Sequence, residues 1–199
     1  MGELFDKAYK YAVKHHEGQR RKDGTDFIQH PIEVTNIAST ITNDEEVLAS
    51  AMLHDVPEEC KVAIEEIKLL FGDRVGRIVS LETEPFYPYI SKQESWKLRK
   101  QEAIKRLSTT DEIGFKIVYL SDKLSNIRSL YNDYNRIGIN AFAKFNVSDM
   151  NTQAWYYYNV LANLSELKDT EAYKEFEEKL NHIFKDIRRV EDDKRSNTL

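Results

Sequence analysis

The chain has 199 residues, 41% of them hydrophobic and 32% charged, with a formal net charge of −5. That length suits one buried core, the acidic balance argues against non-specific nucleic-acid binding, and no run reaches the ~18 apolar residues of a membrane span. A single cysteine, Cys60, excludes an intrachain disulfide and fits a reducing, cytoplasmic setting, while Glu3, Asp6, Lys7 and Lys10 make a secretory leader unexpected at the start.

Few Gly and Pro, with long stretches rich in Lys, Glu, Leu and Ala, predict a mostly helical chain. Leu4, Ala8, Tyr11, Ala12 and His15 recur at helical spacing, so a first helix is expected over 3–17, closed by Gly18. A polar loop follows, with the cations Arg20, Arg21 and Lys22 and a turn at Asp23-Gly24. His30-Pro31 starts a second helix, with proline in the first turn, where its missing N–H is harmless. Asn43 or Asp44 caps a third, which carries Val47, Leu48, Ala51, Met52 and Leu53 inward to His54-Asp55, and Pro57 is expected to stop it.

Further helices are expected over 64–71, ending at Gly72, and through Val75, Ile78, Val79 and Leu81. The two prolines of 84–89 mark a loop. A charged helix over 91–107 and a long one from Asp111 to Leu130 come next. An irregular aromatic region over 131–146 and two last helices over 148–167 and 170–190 complete the chain. The residues therefore predict one all-α domain over 1–190 and a polar tail over 191–199 that frays.

Chemistry concentrates at His54-Asp55, an imidazole and a carboxylate side by side at a helix end, followed at once by Glu58 and Glu59. A divalent cation with open positions needs about four ligands of mixed nitrogen and oxygen type. His30, fixed by Pro31, is a third candidate, with His15 and His16 as competitors. Asp122 is a fourth; it shares a helix face with Asn126, although taken alone it pairs as readily with Lys123 or Arg128 on the surface.

The order His…His-Asp…Asp resembles that of the HD-domain metal phosphohydrolases, and the flanking blocks resemble the hydrolase domain of the RelA/SpoT alarmone enzymes, above all the small stand-alone hydrolases. These blocks are Arg20-Arg21-Lys22-Asp23-Gly24 running into Phe27-Ile28-Gln29-His30-Pro31, then Ala51 to Glu59, Ile64 to Gly72, and Lys116 to Arg128. The resemblance implies an HD-domain bundle of about eight to ten helices. It implies that His30, His54, Asp55 and Asp122 hold one metal, by analogy Mn²⁺, although ligand type admits Fe²⁺, Zn²⁺ or Ni²⁺ equally. Glu58 matches the acidic residue that orients or deprotonates the attacking water, and Glu59 stands beside it where the family has Asp. Arg21 and Lys22 match the pair that frames the nucleotide, and Asn126 a residue near the ribose.

The implied activity is release of pyrophosphate from the 3′ position of guanosine 3′,5′-bis(diphosphate), with a small nucleotide as the partner and neither nucleic acid nor membrane. Several positions depart from the pattern: the loop over 22–25 is short, Ser121 replaces Ala, and Leu81 to Phe86 differ. Asn151 matches a nucleotide-contacting Arg, and Trp155 or Tyr156 an aromatic contact. These departures keep other readings open: an HD phosphohydrolase acting on NADPH, a dNTP or a nucleoside monophosphate; a non-catalytic ligand-binding relative; or a structural helical protein. The sequence leaves the oligomeric state open.

Overall fold

A computed structural model of the chain describes residues 2–185. The tail expected over 191–199 and the end of the helix expected to reach 190 lie outside the described residues. The helices are α1 (Glu3–His15), α2 (Gln29–Ser39), α3 (Glu45–Leu53), α4 (Val56–Cys60), α5 (Ile64–Phe71), α6 (Asp73–Glu82), α7 (Trp96–Thr109), α8 (Ile113–Ile137), α9 (Met150–Ala162) and α10 (Glu171–Ile183). Short 3₁₀ segments cover Gly138–Lys144 and Ser165–Leu167. No strand occurs among the described residues, only an isolated bridge between Arg20 and Asp26, so the all-α expectation is borne out.

Several boundaries differ from the sequence reading: the helix expected over 148–167 ends at Ala162, with a 3₁₀ turn over Ser165–Leu167 after it, and three further differences have a clear cause. Pro57 does not end helical structure; it occupies the first turn of the short α4, where its missing N–H leaves no bond broken. The charged helix α7 begins at Trp96, because Ser91 and Glu94 close a turn on each other instead. α8 runs past Leu130 to Ile137, where Gly138 ends it with φ 60°.

The described residues form two compact units, each with its own core. The first comprises the chain up to Phe86 together with Thr109–Ser125. Its centre is α3, in which every residue from Val47 to Leu53 is buried, so α1, α2 and α6 can pack around it. Val47, Leu48, Met52 and Leu53 each contribute roughly 1.5–3 kcal/mol by leaving water. The Asp44 carboxylate caps α3 by accepting from the Glu46 N–H at 3.0 Å. Asp44 also pairs with Arg74, which reaches Glu46 and Glu112 as well. At Gly114 a Cβ would lie 2.8 Å from Val47 Cγ2 and 3.0 Å from Ile78 Cδ1, so glycine lets the first turn of α8 press onto α3 and α6.

The second unit comprises Tyr87–Ser108 and the chain from Asn126 on. Its core is aromatic: Phe142, Phe176 and Phe184 are fully buried, and Tyr157 packs against the last two. Arg128 grips Glu175 with two parallel bonds, at 2.8 and 2.5 Å.

Candidate metal centre

All four side chains expected to ligate lie in the first unit, and the fold brings them together. His30 sits in the opening turn of α2, His54 caps the C-terminal end of α3, Asp55 leads into α4, and Asp122 lies within α8. His30 Nε2 is 3.0 Å from Asp122 Oδ1 and 3.6 Å from Asp55 Oδ2. His54 Nε2 is 3.3 Å from Asp55 Oδ2 and 3.8 Å from Asp122 Oδ1. Ligands held about 2.1 Å from one ion stand roughly 3–4 Å from one another. These four separations fall in that range, and His30, His54 and Asp122 form a buried group in which every ligand atom lies within 4.8 Å of the others, with Asp55 beside the two histidines.

The orientation of the rings agrees. His54 Nδ1 lies 2.7 Å from the Ala51 carbonyl and must donate to it, which leaves Nε2 as the nitrogen that takes a proton in the metal-free chain or a metal when one is bound. That Nε2 is buried and makes no well-aligned hydrogen bond, although Asp55 Oδ2 stands 3.3 Å away, so a cation between the two would satisfy both. The Ser125 hydroxyl donates to Glu33 Oε2 at 2.8 Å, so its oxygen accepts the His30 Nδ1–H at 3.0 Å. His30 therefore also turns Nε2 toward Asp55 and Asp122. This donor set fits a divalent cation.

Charge in the cluster is strongly coupled. Burial disfavours the imidazolium of His54, but Asp55, Asp122 and Glu82 overcome that and push its pKa up to about 10. Burial would raise Asp55, and His54 and His30 instead bring it to about 2. Asp122 is held well below the usual carboxylate range: the cost of its burial is outweighed by Lys123, His30 and His54.

The other expected residues fall differently. Glu58 Oε1 accepts the Glu84 N–H at 2.5 Å. The surrounding protein pushes its carboxyl up to about 7 although the residue keeps an exposed face, and the Glu84 N–H opposes the rise. Glu59 is exposed, and its backbone carbonyl accepts from the Gln19 side chain at 3.4 Å. In the basic loop Arg20 pairs with Asp26 at 2.9 Å, and the Arg21 carbonyl accepts the Gly24 N–H, which forms the expected turn with Arg21 half-buried and Lys22 exposed. Asn126, half-buried, lies one turn along α8 from Asp122. In the second unit Asn151 is exposed, Trp155 is half-buried beneath Lys97, and Tyr156 is buried against Trp96.

His16, a competitor of His30, is buried elsewhere: its Nδ1 meets Gln19 Oε1 at 2.9 Å and its ring stacks on Phe27. Burial pushes its pKa down. Three participants escaped the sequence reading, Ser125, Glu33 and Glu82; Lys123, expected only as a surface partner of Asp122, does bond it but is largely withdrawn from the surface. Ser125 was legible in principle, since it stands three residues from Asp122 on the same helix.

Two histidines and two aspartates thus converge in an all-helical core as a candidate site for a divalent cation. A family model described as an HD domain matches residues 8–145. The chain therefore belongs to the HD domain family. It is 34% identical over 130 residues to the GTP pyrophosphokinase rsh of Brucella melitensis, covering 64% of this chain and 17% of that protein. It is 32% identical over 129 residues to the guanosine-3′,5′-bis(diphosphate) 3′-pyrophosphohydrolase of Aquifex aeolicus, covering 65% and 18%. The chain thus spans under a fifth of the length of these relatives. Among solved structures, a metazoan ortholog of SpoT, described as hydrolyzing ppGpp, superposes with a TM-score of 0.68 at 28% identity, covering 94% of this chain and 96% of that one. The likeness to the RelA/SpoT enzymes expected from the sequence is borne out.

Proposed function

We propose that the chain is a metal-dependent hydrolase that removes pyrophosphate from the 3′ position of guanosine 3′,5′-bis(diphosphate). The observation that carries this reading is the meeting of His30, His54, Asp55 and Asp122 around a buried His54 Nε2 that makes no well-aligned hydrogen bond. The substrate class comes from the relatives, whose names and description concern that nucleotide.

His30, His54, Asp55 and Asp122 would hold the cation, with Mn²⁺ as the proposed ion. When bound, such an ion supplies Lewis acidity that polarises a phosphate ester and acidifies water. Glu58, kept in place by the Glu84 N–H, takes a proton from the attacking water. The new P–O bond forms at the phosphorus attached to the ribose 3′ oxygen. The P–O3′ bond breaks, the proton passes to the 3′ oxygen, and pyrophosphate departs. Arg21 and Lys22 meet the nucleotide, whose negative charge they match, and Asn126 faces the ribose. The free Cys60 thiol speaks for a cytoplasmic setting.

A different nucleotide is the second reading. Asn151, which the sequence resemblance matches to a family Arg, is exposed, and Tyr156 is buried rather than displayed. Incubation with guanosine 3′,5′-bis(diphosphate) and Mn²⁺, followed by phosphorus NMR, separates the two. Pyrophosphate and guanosine 5′-diphosphate are the expected products; release of inorganic phosphate, or turnover of NADPH or a dNTP alone, overturns the first reading.

A further inference from the structure

The last turn of α6 places a carboxylate where an apolar side chain belongs. Val75, Ile78 and Val79 are buried on one stripe, and Glu82 continues it at 8% exposure. A buried carboxylate is strongly unfavourable unless paired and fully hydrogen-bonded, and Glu82 is only partly so. Its Oε1 lies 3.4 Å from Lys123 Nζ, while its Oε2 is buried without a hydrogen-bond partner. Valine or leucine would complete the stripe at less cost. A local rule broken this openly is the usual mark of a functional constraint.

The constraint is visible one contact further on. The Lys123 ammonium bonds Asp122 Oδ2 and stands 4.3 Å over the Tyr119 ring. Asp122 is therefore divided: Oδ1 faces the two histidine nitrogens, and Oδ2 is taken by Lys123. An ammonium beside a ligating carboxylate has two effects. It orients the carboxylate, and it competes with a metal for its charge.

We propose that Glu82 is a positioning residue for the metal centre. It holds Lys123 on the outer oxygen of Asp122, so that Oδ1 alone is presented, and its negative charge offsets the ammonium that would otherwise weaken cation binding. The arrangement is an extended outer layer of the site, Glu82 to Lys123 to Asp122, comparable in kind to Glu33 to Ser125 to His30. The inference rests on the metal reading above and concerns how tightly the ion is held.

The test uses the whole, metal-free chain and Mn²⁺ alone as the probe, with affinity measured by calorimetry and the thermal unfolding of each metal-free variant measured beside it. Glu82→Val and Glu82→Gln are expected to weaken Mn²⁺ binding about 10–100-fold, and Glu82→Asp to recover most of the loss. Metal-free Glu82→Val should unfold no lower than the parent, because a partly unsatisfied buried charge has been replaced by an apolar group. In Glu82→Leu/Lys123→Met the competing ammonium is gone too, so part of the affinity should return. A merely structural glutamate would instead lower both measurements together. Unchanged Mn²⁺ affinity in Glu82→Val and Glu82→Gln, or a loss that tracks a lower unfolding temperature, overturns the role of Glu82. If the parent chain binds no Mn²⁺, the metal reading falls as well, which is a different result from equal binding by parent and variants.

Discussion

His54 donates its Nδ1–H to the carbonyl of Ala51, 2.7 Å away and three residues back. The C-terminal end of α3 thus orients its own candidate ligand: a carbonyl left unsatisfied at a helix end fixes the tautomer and aims Nε2 at the carboxylates. His30, at the start of a helix, has no such carbonyl to use and relies on Ser125 from α8.

Replacing Ser125 by Ala tests that dependence. The helix should be unharmed, since alanine is the better helix former, but the His30 ring loses its anchor. Mn²⁺ affinity should fall about 10–100-fold, measured by calorimetry. An unchanged affinity would mean that Asp55 and Asp122 alone hold His30 in place.

Glu58 should set the acidic limb of the rate profile. A base must be deprotonated to work, and with its carboxyl raised to about 7 the value of kcat/KM should climb as pH rises through that value. Glu58→Gln should lower kcat by about 10²–10⁴-fold and abolish this limb while leaving Mn²⁺ content intact. Metal analysis and a pH series on the same preparation check both parts.

The metal-free protein should lose stability in alkali. His54 has a folded pKa of about 10 against an ordinary 6.5, so its contribution is full below 6.5 and disappears as pH rises through about 10. Asp55 works in the opposite window: its folded value of about 2 lies below the ordinary 3.8, so its contribution is present above 3.8 and lost as pH falls toward 2. The unfolding temperature should decline from neutral pH toward about pH 10. Saturating Mn²⁺ should flatten the decline, because the ion takes the Nε2 lone pair that the proton would occupy.

Arg74→Ala probes the scaffold rather than the site. Arg74 meets Asp44 at 2.6 Å, Glu46 at 3.0 Å and Glu112 at 3.2 Å. Its loss leaves three carboxylates facing one another and weakens the cap of α3. Since the group is about a third exposed, the destabilisation should be about 1–2 kcal/mol and should shrink in high salt. Urea unfolding at two ionic strengths measures both.

Much of this molecule is written locally. Helical spacing, the Asp44 cap, the Asp23-Gly24 turn and the pairing of His30 with Pro31 depend on neighbours within a few residues, and all are found where local chemistry puts them. The candidate ligands were legible for a different reason. A His-Asp pair ending an apolar helix and a lone Asp within another are residue types that a core does not otherwise favour.

Long-range packing decided the rest. Whether Asp122 pairs with a surface cation or faces two histidines depends on how α8 lies against α2 and α3, and no local pattern carries that. The same packing separates His30 from His16, which are similar in sequence but reach different neighbours, one carboxylates and the other Gln19 and Phe27. Lys123 reads as a surface lysine until α6 brings Glu82 beside it. The sequence by itself determined which side chains could bind a cation; tertiary structure alone decided which of them meet, because charges bind and tune one another only across the few ångströms that folding closes.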